Sequence, residues 1–113
     1  VDKEEAIERG RHTQERLNGS WELQIIKIFG KEHKFKWFLV SGNFVLTYDN
    51  KGYFCKYRMD INEDVSYDEP FSVSIKRFSD PMKAVLYKVN NIRKYQKELY
   101  KHISDISAKI NNR

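Results

Sequence analysis

Residues 34–61 read KFKWFLVSGNFVLTYDNKGYFCKYRMDI, three runs rich in aromatic and β-branched side chains separated by Ser41-Gly42-Asn43 and Asp49-Asn50-Lys51-Gly52. Such runs suit pleated, half-buried strands, and connections this short join antiparallel neighbours. The second connection carries a strong hairpin signal. Strands are therefore predicted at residues 34–40, 44–48 and 53–61. Alternation of side chains along a strand sets Phe35, Trp37 and Leu39 on one face with Phe44, Leu46 and Tyr48, and with Tyr53, Cys55, Tyr57, Met59 and Ile61. The opposite face carries Lys34, Lys36, Phe38, Val45, Thr47, Phe54, Lys56 and Arg58, a basic surface with two aromatic rings among the charges.

Outward from this block, residues 21–29 (WELQIIKIF) read as a preceding strand turned by Gly30. Residues 2–17 (DKEEAIERGRHTQERL) read as a short polar helix, acidic in its first turn and with Arg near its end, as the helix dipole favours. Only Ala6, Ile7 and Leu17 offer apolar surface and Gly10 weakens the middle, so a peripheral place is expected. On the other side an acidic loop at 62–70 leads to a fifth strand at 71–77 (FSVSIKR), with Phe71, Val73 and Ile75 on the apolar face and Ser72, Ser74 and Lys76 on the basic one.

Asp80 then suits an N-cap and Pro81 a first helical position. Val85, Val89, Ile92, Leu99, Ile103, Ile106 and Ile110 follow at alternating four- and three-residue steps, interrupted at Gln96, which is a heptad seam. The expected fold is α+β: one domain over 1–113, with an N-terminal helix (1–19), an antiparallel meander of about five strands (20–78) and a long C-terminal helix (80–112) packed on one face of the sheet. A seven-residue strand covers roughly 23 Å and some thirty helical residues about 45 Å, so the helix should overhang its sheet. Leu99, Ile103, Ile106 and Ile110 then lack cover, and a second copy of the chain would supply it as a homodimer. The alternative is a bent helix with the N-terminal helix lying on it.

The composition bounds the partners. With 40% hydrophobic and 14% aromatic residues the chain is too apolar to be disordered. A net charge of +5 and a pI of 9.3 favour nucleic acid, an anionic membrane or an acidic protein. The single Cys55 excludes an internal disulfide and a cysteine-only zinc site and points to a reducing, cytoplasmic setting. No apolar run is long enough to span a bilayer, and no secretory leader is evident.

Catalytic and metal chemistry find no pattern to rest on. Asp60, Asn62, Asp64, Ser66 and Asp68 resemble the start of a calcium loop, but Val65 stands where a Gly is needed and Phe71 replaces the bidentate Glu. His12, His33 and His102 lack metal-ligand spacing. Cys55, on the apolar face, reads as a small hydrophobe. A phosphate-cradling Gly-rich loop, a serine elbow and a dinucleotide fingerprint are all missing, so a protein without enzymatic activity or cofactor is expected.

The basic face is the feature that points to a partner. Lys34, Lys36, Lys56, Arg58 and Lys76 would neutralise phosphates, while Phe38 and Phe54 would stack on unpaired bases. The expectation is a nucleic-acid-binding protein favouring single strands; the plainer alternative for this face is a Lys-rich solvated surface whose two Phe are covered by the N-terminal helix. The alternative is a protein-binding regulator or inhibitor of the sort phages and mobile elements encode, which a small chain rich in Lys, Asn, Ile and Tyr would suit.

Residues 27–50 (KIFGKEHKFKWFLVSGNFVLTYDN) also resemble the opening strands of a pleckstrin homology domain: a basic first loop, a Trp-Phe-Val-Leu-like strand, a short turn and a Leu-x-Tyr-Tyr-like strand. The resemblance covers about a fifth of the chain and implies phosphoinositide binding by Lys27, Lys34 and Lys36. It stops there, because one further strand stands where that family has three, and the following helix is longer.

Overall fold

Four strands pair in the order β1-β2-β3-β4, all antiparallel: β1 (Glu22–Lys27), β2 (Phe35–Ser41), β3 (Phe44–Asp49) and β4 (Gly52–Tyr57). A helix precedes the sheet, α1 (Lys3–Arg16), and another follows it, α2 (Pro81–Asn111), giving an α+β fold. This computed structural model describes residues 1–17, 19–58 and 75–111, without the side chains of 98, 99, 102, 110 and 111.

The register follows from the alternating pattern. Leu23 pairs with Leu39, Ile25 with Trp37, Leu39 with Leu46 and Leu46 with Cys55, which lines these side chains up on one face. Ser41 pairs with Phe44 around a two-residue turn, and Gly42 supplies its positive φ of 58° at no steric cost. Asn43 ties this turn to the end of β4, its side-chain amide donating to the Arg58 carbonyl at 2.8 Å.

The main core lies on this face. Trp37, Leu39, Leu46 and Cys55 pack with Ala6 and Leu17 of the N-terminal helical region and with Ala84 of α2. Burial of such a side chain contributes about 1.5–3 kcal/mol. α1 covers β1 and β2, and α2 covers β3 and β4.

The expected peripheral place of α1 is corrected. Its inward line is Ala6, Gly10 and Thr13, continued by Leu17 just past the helix. These residues bring the helix backbone close to the sheet. A Cβ on Gly10 would collide with the Leu23 side chain and come within 3.2 Å of the Trp37 Cβ. Small residues at helical spacing carry no large hydrophobic signal, which is why the sequence reads as a polar helix.

Among the described residues the strand count is four rather than five. Of the expected fifth strand, 71–74 lies outside the described residues, and residues 75–77 belong to no strand. The chain meets the sheet edge at one point, where Phe78 and Tyr53 exchange backbone hydrogen bonds of 2.8 Å. Gly52 permits this approach, since a Cβ there would stand 2.6 Å from the Phe78 carbonyl oxygen.

α2 starts as its sequence predicts. Asp80 Oδ1 accepts from the Met82 N–H at 3.1 Å, Pro81 is buried, and Arg16 forms an ion pair with Asp80 at 3.5 Å. Ala84, Lys88 and Ile92 are buried at four-residue intervals. Beyond Ile92 the described side chains are exposed, apart from a half-buried Tyr95.

The second sheet face is not the open surface expected. Phe38, Val40 and Val45 form a buried cluster with Ile26 packed against it, and Thr47, Phe54 and Arg58 are buried as well. Trp37 and Phe38 do point to opposite faces, as neighbours in a strand must. Alternation assigns their direction correctly, but both are buried, at 5% and 6% exposure. No helix among the described residues is long and apolar enough to cross a membrane.

Candidate functional site

β2 and β4 place the predicted basic residues around two rings. Lys36 Nζ lies 5.8 Å from the Phe38 centroid and 5.9 Å from that of Phe54. Lys56 Nζ is 5.8 Å from the Phe54 centroid, and the Arg77 guanidinium carbon is 4.8 Å from it. Three cationic groups thus surround one ring, within the range of cation–π attraction. Lys36 and Lys56 are half-buried, as expected where a lysine stem covers apolar surface.

The structure therefore brings together Lys36, Phe38, Phe54 and Lys56, but not as an open aromatic platform. Phe38 and Phe54 are buried and cannot receive stacked bases, which corrects the role expected of them. Arg58 is also buried, its Nε and Nη2 donating to the Gly42 carbonyl at 3.3 and 3.1 Å, so its guanidinium secures the β2–β3 turn. Lys34 is exposed just before β2, next but one to Lys36 in the chain, and its Nζ is not among the cations over the Phe38 and Phe54 rings. Lys76 is exposed, with its Nζ over Phe78 and Tyr87 at 5.4 and 5.5 Å. Of the positions matched to the pleckstrin homology resemblance, Lys27 and Lys34 are exposed and Lys36 is half-buried.

Arg77 is the residue that sequence reasoning missed. It donates from Nε to Asp49 Oδ2 at 2.7 Å, joining the segment before α2 to the β3–β4 turn. Burial by itself would raise the Asp49 pKa. The Arg77 hydrogen bond and charge, together with the Lys51 and Gly52 backbone N–H groups, outweigh it and hold the carboxyl below its ordinary range. The pair is separated by 28 positions, and no local pattern announces it.

On the helix-covered face a groove of about 620 Å³ opens between α1, the β3–β4 turn and the segment entering α2. Tyr48 and Tyr53 are among its aromatic lining and Arg9, His12 and Lys51 among its polar lining. Alternation along β3 and β4 puts both tyrosines on this face, whereas nothing local in α1 signals that Arg9 and His12 line the same groove.

The comparisons are silent. No protein-family model, curated protein or solved structure matches this chain. Function must be read from the residues themselves.

The remaining expectations concern other parts of the chain. The calcium-like run from Asp60 to Asp68 lies outside the described residues, and among those described no cluster of His, Cys, Asp and Glu could hold a metal. Cys55 is buried and forms no disulfide. Ile103 and Ile106 of the expected dimer seam are exposed at 48% and 45%, while the side chains of Leu99 and Ile110 lie outside the described residues.

Proposed function

We propose that this chain is a small cytoplasmic binding protein without catalytic activity, which holds nucleic-acid phosphates on the cationic side of its sheet. The observation that supports this reading is the convergence of Lys36, Lys56 and Arg77 on Phe54. Cations already gathered around one buried ring lose little freedom when they meet an anionic backbone, and each phosphate contact releases counterions. Because Phe38 and Phe54 are buried, their part is to hold the lysine stems, and the contact at this face is to phosphate rather than to base.

Binding of a mixed-sequence oligonucleotide, titrated over a range of salt, tests the proposal. Removing Lys36 and Lys56 together should lower the slope of log affinity against log salt by roughly 0.7 per lost contact on a single strand. An unmodified protein that fails to bind at low salt sinks the reading.

A second reading, a protein-binding regulator, draws support from distal α2. Tyr100, Ile103 and Ile106 are exposed there, with Tyr100 at 69%. We propose that this stretch pairs two copies of the chain, which would leave the sheet faces of both free to bind. Sedimentation of the unmodified protein as a monomer at high micromolar concentration would overturn the pairing.

A further inference from the structure

We propose that the groove between α1 and the β3–β4 turn is a second binding site, for a planar aromatic ring that carries a phosphate: a nucleotide, free or at the end of a strand. The site goes beyond the sheet-face reading, because Lys36 and Lys56 do not line it and Arg77 alone borders both places.

Its lining combines two chemistries. One is a row of rings. Trp37 and Tyr53 have centroids 6.3 Å apart, and Tyr53 meets Tyr48 edge to face at 4.8 Å. The row runs from the core outward, from Trp37 at 5% exposure to Tyr48 at 38%, so the last ring presents surface to an incoming ligand. The other is polar: exposed Arg9 and His12 from α1 and exposed Lys51 from the β3–β4 turn. These three side chains make no ion pair among the described residues. Among the described residues no Asp or Glu lines the groove, and the Asp49 carboxylate beside the turn is already engaged by Arg77 and by the Lys51 backbone N–H.

The ligand class follows from that division. A volume of about 620 Å³ lies within the range of small-ligand sites and far exceeds what a bare phosphate fills. A lone anion would use the cations and leave the rings wet. An uncharged aromatic would stack on Tyr48 and leave Arg9 and Lys51 unmatched. A nucleotide satisfies both, with its base on the tyrosine and its phosphate toward the cations.

The test is calorimetric titration of the intact chain at low salt with adenosine monophosphate, adenosine and inorganic phosphate. The expected result is saturable binding of the monophosphate, about tenfold tighter than that of adenosine or phosphate alone. Lys51→Ala and Tyr48→Leu should each weaken it about three- to tenfold, while Lys36→Ala with Lys56→Ala leaves it unchanged. Lys51 is exposed on a turn, so its variant tests the site even if Tyr48→Leu disturbs the fold. A short oligonucleotide with and without a terminal phosphate separates the two sources. Preference for the phosphorylated oligonucleotide assigns the site to strand ends, and binding of the mononucleotide alone assigns it to free nucleotide. Equal affinity for phosphate and the monophosphate, equal affinity for adenosine and the monophosphate, or absence of saturation each overturns the proposal. Loss of salt-dependent oligonucleotide binding in the lysine double variant with mononucleotide binding intact would show the two sites to be separate.

Discussion

On the helix-covered face of the sheet, Trp37, Leu39, Leu46 and Cys55 pack with Ala6, Leu17 and Ala84. On the opposite face Phe38, Val40, Val45 and Phe54 are buried to a similar degree, with Lys36, Lys56 and Arg77 set around the Phe54 ring. The first face is closed by small apolar residues that let helices approach. The second shows how long cationic side chains cover apolar surface with their stems while their charges stay at the margin. The closely packed part of the first face can therefore only stabilise, whereas the second face can stabilise and also meet an anionic partner.

The comparison can be broken by truncation. Trp37→Ala should cost about 3–5 kcal/mol in urea unfolding, as a large core truncation does. Phe54→Ala should cost about 3 kcal/mol, close to the same, if the second face is a core in its own right. A loss within about 0.5 kcal/mol would return Phe54 to an open surface and reinstate base stacking there.

The sheet edge where the two faces meet gives the next largest effect. Gly52 has φ 131°, and a Cβ would strike the backbone of Phe78. Gly52→Ala should therefore cost on the order of 2–3 kcal/mol, from backbone strain and displacement of the Phe78 bridge. Wild-type stability in that variant would mean that the Tyr53–Phe78 bridge contributes nothing.

The ion pair on the second face should have a smaller effect, with a direction in pH. Asp49 has a lowered pKa in the folded chain, so its contribution is fully present above the ordinary carboxylate pKa and fades as pH falls through the lowered value. Asp49→Asn should cost about 1 kcal/mol at neutral pH, because the pair is partly exposed, and should flatten the acid limb of the stability curve. An unchanged acid limb would show that Arg77 and Asp49 do not interact in solution.

Distal α2 belongs to neither face and should respond least. Ile103→Asp with Ile106→Asp should change the unfolding free energy of the monomer by no more than about 0.5 kcal/mol per site, while abolishing self-association in sedimentation. A large loss of monomer stability would place these residues in an intramolecular core.

Much of the framework is legible in the chain. The strand-turn-strand pattern of residues 34–57, the Gly42 and Gly52 turns and the Asp80-Pro81 helix start all appear where local chemistry puts them. The candidate sites were legible only in part. Lys36, Phe38, Phe54 and Lys56 come together because they share a face of β2 and β4, the two strands flanking β3, and period-two alternation encodes that face. Alternation gives the direction of a side chain and says nothing of what lies above it. Whether Phe38 is wet or dry was decided by tertiary packing. So was the place of α1, whose Ala6, Gly10 and Thr13 become an inward face only against Leu23 and Trp37. The Asp49–Arg77 pair and the groove between Tyr48 and Arg9 join residues from separate elements. Their juxtaposition depends on how those elements pack, a property that local periodicity does not carry.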